Sequence, residues 1–162
     1  MTEKEMFLQM FEREHGITLK VLKAYPAAKA DFKPHERSKS GKDLAWVFVI
    51  EQQVVVAGAL AGAIDFSKMT PAPATMQGVI AAYEKTHPQM VAKLKQASEA
   101  ALNATVKFPV GPKQMADLRV LDVLWGMLHD EIHHRGQLSV YVRLAGGKVP
   151  SIYGPSADEP WM

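Results

Sequence analysis

His129-Asp130-Glu131-Ile132-His133-His134-Arg135-Gly136-Gln137 places three imidazoles, two carboxylates and an amide within one short run. The run falls inside a segment read as the last long helix, roughly 115–145, which Gly146-Gly147 stop as C-terminal glycines do. A helix advances about 100° per residue. With His129 at zero, His133 lies at about 40°, Gln137 at about 80°, Asp130 at about 100°, Tyr141 at about 120° and His134 at about 140°. One side of the helix therefore collects imidazoles, a carboxylate, an amide and a phenol. Polar groups facing a bundle core need partners. Two i,i+4 pairs are available as chelators, His129 with His133 and Asp130 with His134. Such donors suit zinc, nickel, iron or manganese, and a third ligand would have to come from another helix. The alternative is an ordinary set of surface or hydrogen-bonded histidines. Arg135 and Glu131, on other azimuths, are expected to be solvent or interface charges. Gly136, in mid-helix, is expected to mark close approach of a neighbour.

Working outward, residues 3–25 carry apolar positions at helical spacing, ended by Pro26. Residues 26–42 read as a connecting loop. Ser40 and Asp43 resemble a capping box opening a second helix over 43–62. The β-branched runs Val47-Phe48-Val49-Ile50 and Val54-Val55-Val56 could form two strands. However, Glu51-Gln52-Gln53 between them favour helix, and Leu44, Val47, Phe48, Val55 and Ala59 share one stripe. After a proline-bearing connection at 65–74, a third helix starts at Thr75 and is expected to break or kink at His87-Pro88, restarting toward Thr105. Phe108 to Pro112 reads as a turn, and residues 148–162 as an irregular tail packed on the bundle. No stretch makes a convincing strand. The expectation is an all-α four-helix bundle occupying 1–162 as one domain.

Composition narrows the function. Hydrophobic residues make up 48% and charged residues 22%, with a formal charge of +2. These values suit a soluble globular chain and give no basic run for nucleic acid. The absence of cysteine excludes a disulfide framework, a thiolate zinc site and a cysteine nucleophile. The charged N-terminus lacks a signal-peptide core, and Glu51-Gln52-Gln53 interrupt the most apolar stretch well short of the roughly 20 residues of a membrane span. A cytoplasmic protein without a membrane or nucleic-acid partner is expected.

The C-terminal residues also carry a resemblance. His133-His134-Arg135-Gly136-Gln137-Leu138 is similar to the HHRGQ signature of the DinB/YfiT-like superfamily. Leu144 to Pro155 resembles the segment that comes after that signature, and Ser40 to Trp46 resembles the opening of the superfamily's second helix. The resemblance spans about residues 5 to 160. It implies a four-helix bundle in up-up-down-down order, often a homodimer, with a pocket at its centre. Many members hold a divalent metal, such as zinc or nickel, through one histidine of the second helix and an i,i+4 histidine pair of the last. Some are thiol-dependent transferases.

Carried over residue by residue, the last family histidine falls on His134, its partner on Asp130 and the second-helix histidine on Val47, which cannot ligate. Three arrangements are open. Asp130 and His134 hold a metal with Glu51, one turn beyond Val47; or the site shifts to His129 and His133 with a donor such as His35; or the pocket binds no metal. Val47, Gln137, Tyr141 and His35 are the expected pocket residues. The function implied is a metal-dependent small-molecule transferase or hydrolase of the thiol type. The alternative is a metal-free bundle that binds a small ligand or serves as a dimeric stress-response module. Elsewhere, His15 is expected to face solvent and His87 to cap a helix. Trp46, Trp125 and Tyr83 are expected in the core, and Tyr153 and Trp161 to pack from the tail. The small-residue run 57–62 lacks the spacing of a phosphate loop.

Overall fold

Helix α1 (Glu3–Ala24) opens on a capping box, in which the Thr2 hydroxyl accepts from the Glu5 backbone N–H and the Glu5 carboxylate accepts from that of Thr2. Helix α2 starts at Ser40, whose hydroxyl accepts from the Asp43 N–H. It runs as α-helix over Gly41–Ile50, widens into a π-helical turn over Glu51–Val56 and closes with Ala57–Leu60. The apolar segment is thus one helix, not two strands. By length and composition Gly41–Leu60 could cross a bilayer, but over half of it is buried inside the bundle. Helix α3 (Met76–Gln96), the short α4 (Glu99–Asn103), strands β1 (Thr105–Gly111) and β2 (Gln114–Arg119), and helix α5 (Val120–Leu144) complete the order. The computed structural model describes all residues, Met1–Met162.

Two expectations about local structure are corrected. Helix α3 is continuous through Pro88. Both Pro88 and Glu84, whose carbonyl the ring deprives of its partner, are exposed, so water can serve that carbonyl. The segment read as a turn and a helix start is instead an antiparallel hairpin, with Thr105 opposite Arg119 and Phe108 opposite Ala116. Its tip places Lys113 at φ 58°, the left-handed conformation that tight hairpin turns demand. Pro109 sits beside the register shift, where a missing N–H costs the ladder least. Val106 turns into the core between exposed Thr105 and Lys107, so α5 begins at Val120 rather than near 115.

Side-chain pairings give the direction of each helix. Phe7 meets Trp125 and Thr18 meets Glu131, so α1 and α5 run parallel. Lys23 pairs with Glu84 and Glu12 with Lys95, so α3 is antiparallel to α1. Phe48 meets Tyr83 and Gln53 bonds Thr86, so α2 runs with α3. The order is up-down-down-up, in place of the expected up-up-down-down. The physical reason is the 61–75 connection, which returns along the length of the bundle before α3 begins. Trp46 Nε1 pins it by donating to the Thr70 carbonyl, 2.6 Å.

The core is divided. Phe7, Phe11, Val55, Leu94, Val106 and Leu124 belong to one buried apolar cluster; Val21, Leu22, Phe48, Val79, Leu138 and Val142 belong to another. Between them each long helix contributes buried polar residues: Glu14 and Thr18, Glu51 and Gln52, Thr86 and His87, Glu131 and Arg135. A polar layer therefore crosses the middle of the bundle. The tail closes over one end through Lys20–Glu159 at 2.9 Å and Arg143–Asp158 at 2.5 Å.

Candidate metal centre

The α2 half of the site lies where regular α-helix passes into the π turn. Glu51, whose N–H still bonds the Val47 carbonyl as in a regular α-helix, and Gln52 both face inward, 7% and 2% exposed, while Gln53 stays outside and donates to Thr86 Oγ1 at 2.9 Å. Single π turns often mark functional sites because they re-aim side chains without ending the helix. Across from it, α5 presents Asp130 and His134. Ligand atoms of Glu51, Asp130 and His134 all lie within 4.8 Å of one another. His134 Nε2 is 3.5 Å from Asp130 Oδ2, a spacing compatible with two donors about 2.1 Å from one tetrahedral ion.

Hydrogen bonding on the outer side sets the imidazole. His134 Nδ1 lies 2.8 Å from Gln137 Oε1, and Gln137 Nε2 lies 3.0 Å from His133 Nε2. A carbonyl oxygen only accepts, so Nδ1 carries a proton, and the tautomer that this selects directs the Nε2 lone pair toward Asp130. The amide then donates to His133. This relay is the arrangement that orients metal-ligating histidines.

With Glu51 and Asp130 ionised and the imidazole neutral, three acceptors converge without a donor among them. Glu51 Oε2 is buried and has no hydrogen-bond partner in the protein. Burial first, and then the adjacent Asp130 carboxylate, push the Glu51 carboxyl up to about 10. Only a proton or a cation relieves such a corner. The donor set fits a divalent ion, with one nitrogen and two oxygens whose charges would neutralise it.

Glu51 and Asp130 open into a cavity of about 710 Å³. Its walls include Trp46, Val47, Ile50, Phe66, Phe108 and Met127, and its mouth carries Lys33, Arg37 and Lys39. Val47 is therefore a wall of the pocket, and Trp46 lines it rather than filling the core. His134, Gln137 and Tyr141 border an adjoining groove of about 450 Å³. His35 does neither: it is exposed, and its Nδ1 accepts from the Arg37 backbone N–H. His129 and His133 are also exposed, and His129 stacks on Trp125. No third donor joins them.

Several residues take roles other than those expected. Glu131 and Arg135, read as surface charges, are 3% and 1% exposed. Arg135 pairs with Glu14 at 2.7 Å and donates to Thr18 and to the Tyr153 hydroxyl, which donates on to Glu14 at 2.7 Å. Glu131 accepts from Thr18 at 2.7 Å and from Tyr83 at 2.6 Å. Burial raises the Glu131 pKa, against those two hydrogen bonds and Arg135. The Gln52 amide also favours the Glu131 anion, though it lies outside hydrogen-bonding geometry. His15 is half-buried rather than solvent-facing, and His87 lies within α3 rather than capping it. Their rings stack at 3.7 Å. Gly136 is exposed with nothing near its Cβ position, so no neighbour approaches there.

A helical bundle with a polar mid-layer and a carboxylate–histidine corner defines the class. The chain belongs to the DinB family, whose match covers residues 1–161. It is 28% identical over 159 residues to the Bacillus subtilis (strain 168) protein described as "Uncharacterized protein YrdA", covering 94% of this chain and 89% of that one. Two solved structures share the fold. A DinB-like protein from Bacillus cereus ATCC 10987 has a TM-score of 0.78 at 24% identity, over 92% of this chain and 97% of that one. The DinB-like protein YjoA from Bacillus subtilis has a TM-score of 0.73 at 19% identity, over 91% and 97%.

Proposed function

We propose that this DinB-family protein is a metal-dependent enzyme acting on a small molecule, with Glu51, Asp130 and His134 as its metal ligands. The observation that carries it is the convergence of two carboxyl groups and an imidazole, their ligand atoms within 4.8 Å of one another, beside a cavity of ligand size that Glu51 and Asp130 line. A divalent ion there supplies Lewis acidity toward a bound water or thiol, the chemistry of hydrolysis and of thiol transfer. Gln137 holds His134 in the ligating tautomer. Glu51, one α-helical turn beyond Val47, supplies a donor where that second-helix position has none. Two oxygens and one nitrogen form a harder set than three imidazoles, so manganese and iron(II) compete with zinc and nickel for it.

A second reading has its own support. With Glu51 protonated, its proton bridges to Asp130, and the same pocket serves as a metal-free binding site for a small ligand. Metal analysis of untagged protein separates the two. One equivalent of ion per chain, taken up from zinc, nickel or manganese and lost in His134→Ala, supports the enzyme. Wild-type protein that takes up none of these at micromolar concentration overturns it in favour of the metal-free pocket.

A further inference from the structure

The cavity has two unlike ends. Helix α2 runs along it from Asp43 at the mouth to Glu51 at the inner corner, eight residues or about 12 Å of helix. The walls between are apolar: Trp46 and Ile50 from α2, Phe66 and Met69 from the returning connection, Phe108 from the hairpin and Met127 from α5. Three elements outside α2 thus converge on one lining, which buries the body of a ligand rather than its charge.

The mouth is different. Lys33, Arg37 and Lys39 lie within seven residues of one loop, and none has a carboxylate within 4 Å, whereas Lys42 on the adjoining turn is paired with Asp31 at 2.6 Å. The mouth also carries two acids, Glu36 and Asp43, the latter accepting from the Ser40 hydroxyl at 2.5 Å, so its three cations leave a net charge of +1. The N-terminus of α2 opens at the same end and adds to the positive potential. Arginine in particular offers a fork matched to planar anions.

We infer that the cavity takes a small amphipathic anion, an apolar chain or ring with a charged head group. Lys33, Arg37 and Lys39 hold the head at the mouth, and the opposite end reaches the Glu51–Asp130–His134 corner. The specificity is that of a polarised slot, in which apolar area supplies affinity and the mouth selects the sign of charge. The assignment of the inner end as the reacting end rests on the metal reading above; the selection for an anion does not.

Titration of the full-length protein with octanoate, octanol and octylamine tests this, read by Trp46 fluorescence against a Trp46→Phe control. Octanoate is expected to saturate the signal at a concentration at least tenfold below octanol, with octylamine weakest. Arg37→Glu combined with Lys39→Glu should erase that preference while octanol binding persists, and Arg37→Lys should retain most of it. Equal binding of the three ligands, preference for octylamine, or an octanoate preference that survives charge reversal overturns the inference. Repeating the titration in EDTA and in Glu51→Gln separates the two claims. Octanoate selectivity that persists in both supports the anion slot, and wild-type protein that shows it yet takes up no metal sinks only the metal reading. Metal uptake without octanoate selectivity sinks only this one.

Discussion

Residues 130 and 131 are neighbours on α5, as are 134 and 135, yet the two pairs face opposite kinds of surroundings. Glu131 and Arg135 turn toward α1 and α3, where the carboxylate and the guanidinium meet complementary partners: Thr18, Tyr83, Glu14 and Tyr153. Asp130 and His134 turn toward α2, where they meet a third ligand-bearing group, Glu51, at the corner of an open cavity. Both groups are polar residues within a helical bundle. Matched donors and acceptors make architecture, because breaking the set strands a buried charge. Surplus acceptors next to a cavity make a site, because they leave free energy for something else to recover.

The comparison predicts opposite consequences for substitutions in the two sets of surroundings. The largest effect is expected from Arg135→Met, which leaves Glu14 buried without its cation and should cost about 3–5 kcal/mol. Urea unfolding reads it directly, and a loss under about 1 kcal/mol would refute the assignment of this network as architecture.

Acid should expose the next weakness in the same half of the molecule. Burial holds His15 down to about 4 and His87 down to about 3. Both are therefore neutral when folded, while the unfolded chain protonates near the ordinary value of about 6.5. Their share of stability is intact above that value and drains away as pH falls from about 6.5 toward 4 and 3. Replacing His87 by Phe, which suits the stack of Phe11, His15 and Tyr83, should flatten the loss between pH 7 and 4 by about 1–3 kcal/mol. Parallel pH–stability curves for wild type and variant would show that the pair does not titrate across folding.

On the other side of α5 stability should hardly move. Glu51→Gln removes an unpaired buried carboxyl and is expected to leave unfolding within about 1 kcal/mol of wild type, or to raise stability. The same change should abolish stoichiometric metal uptake, measured by calorimetry. A strongly destabilised Glu51→Gln would place this corner with the structural network instead. The smallest structural effect belongs to Gln137→Leu, at an exposed position: stability unchanged within about 0.5 kcal/mol, with metal affinity lower by about 10–100-fold through loss of the His134 tautomer.

Much of this was legible in the chain, and some of what was missed was legible too. The four long helices, the Ser40 cap and the chelating potential of Asp130 and His134 follow from spacing alone, because i,i+4 neighbours share a face in any helix. Glu14 could have been found the same way. Phe7, Phe11, Glu14, Thr18 and Val21 keep an unbroken 4-3-4-3 spacing, and Leu128, Glu131, Arg135, Leu138 and Val142 keep 3-4-3-4. Polar residues inside an apolar repeat signal a buried network, and their charge misdirected the assignment to the surface. The hairpin was obscured by Pro109 and Pro112, which mimic a simple turn.

By itself the sequence determined the helical character and the family, and offered Asp130 with His134 beside His129 with His133 as α5 donor pairs, since each rests on local periodicity or on a short motif. Only the tertiary structure decided that α2 and α3 run parallel, that Glu51 supplies the third acceptor and that Glu131 and Arg135 are buried. These depend on how the 61–75 connection returns along the bundle and on which faces of α1, α2 and α3 are thereby packed against α5. Helical spacing assumes a constant 3.6 residues per turn. Where the helix departs from that value, only the neighbouring helices reveal which side chains meet.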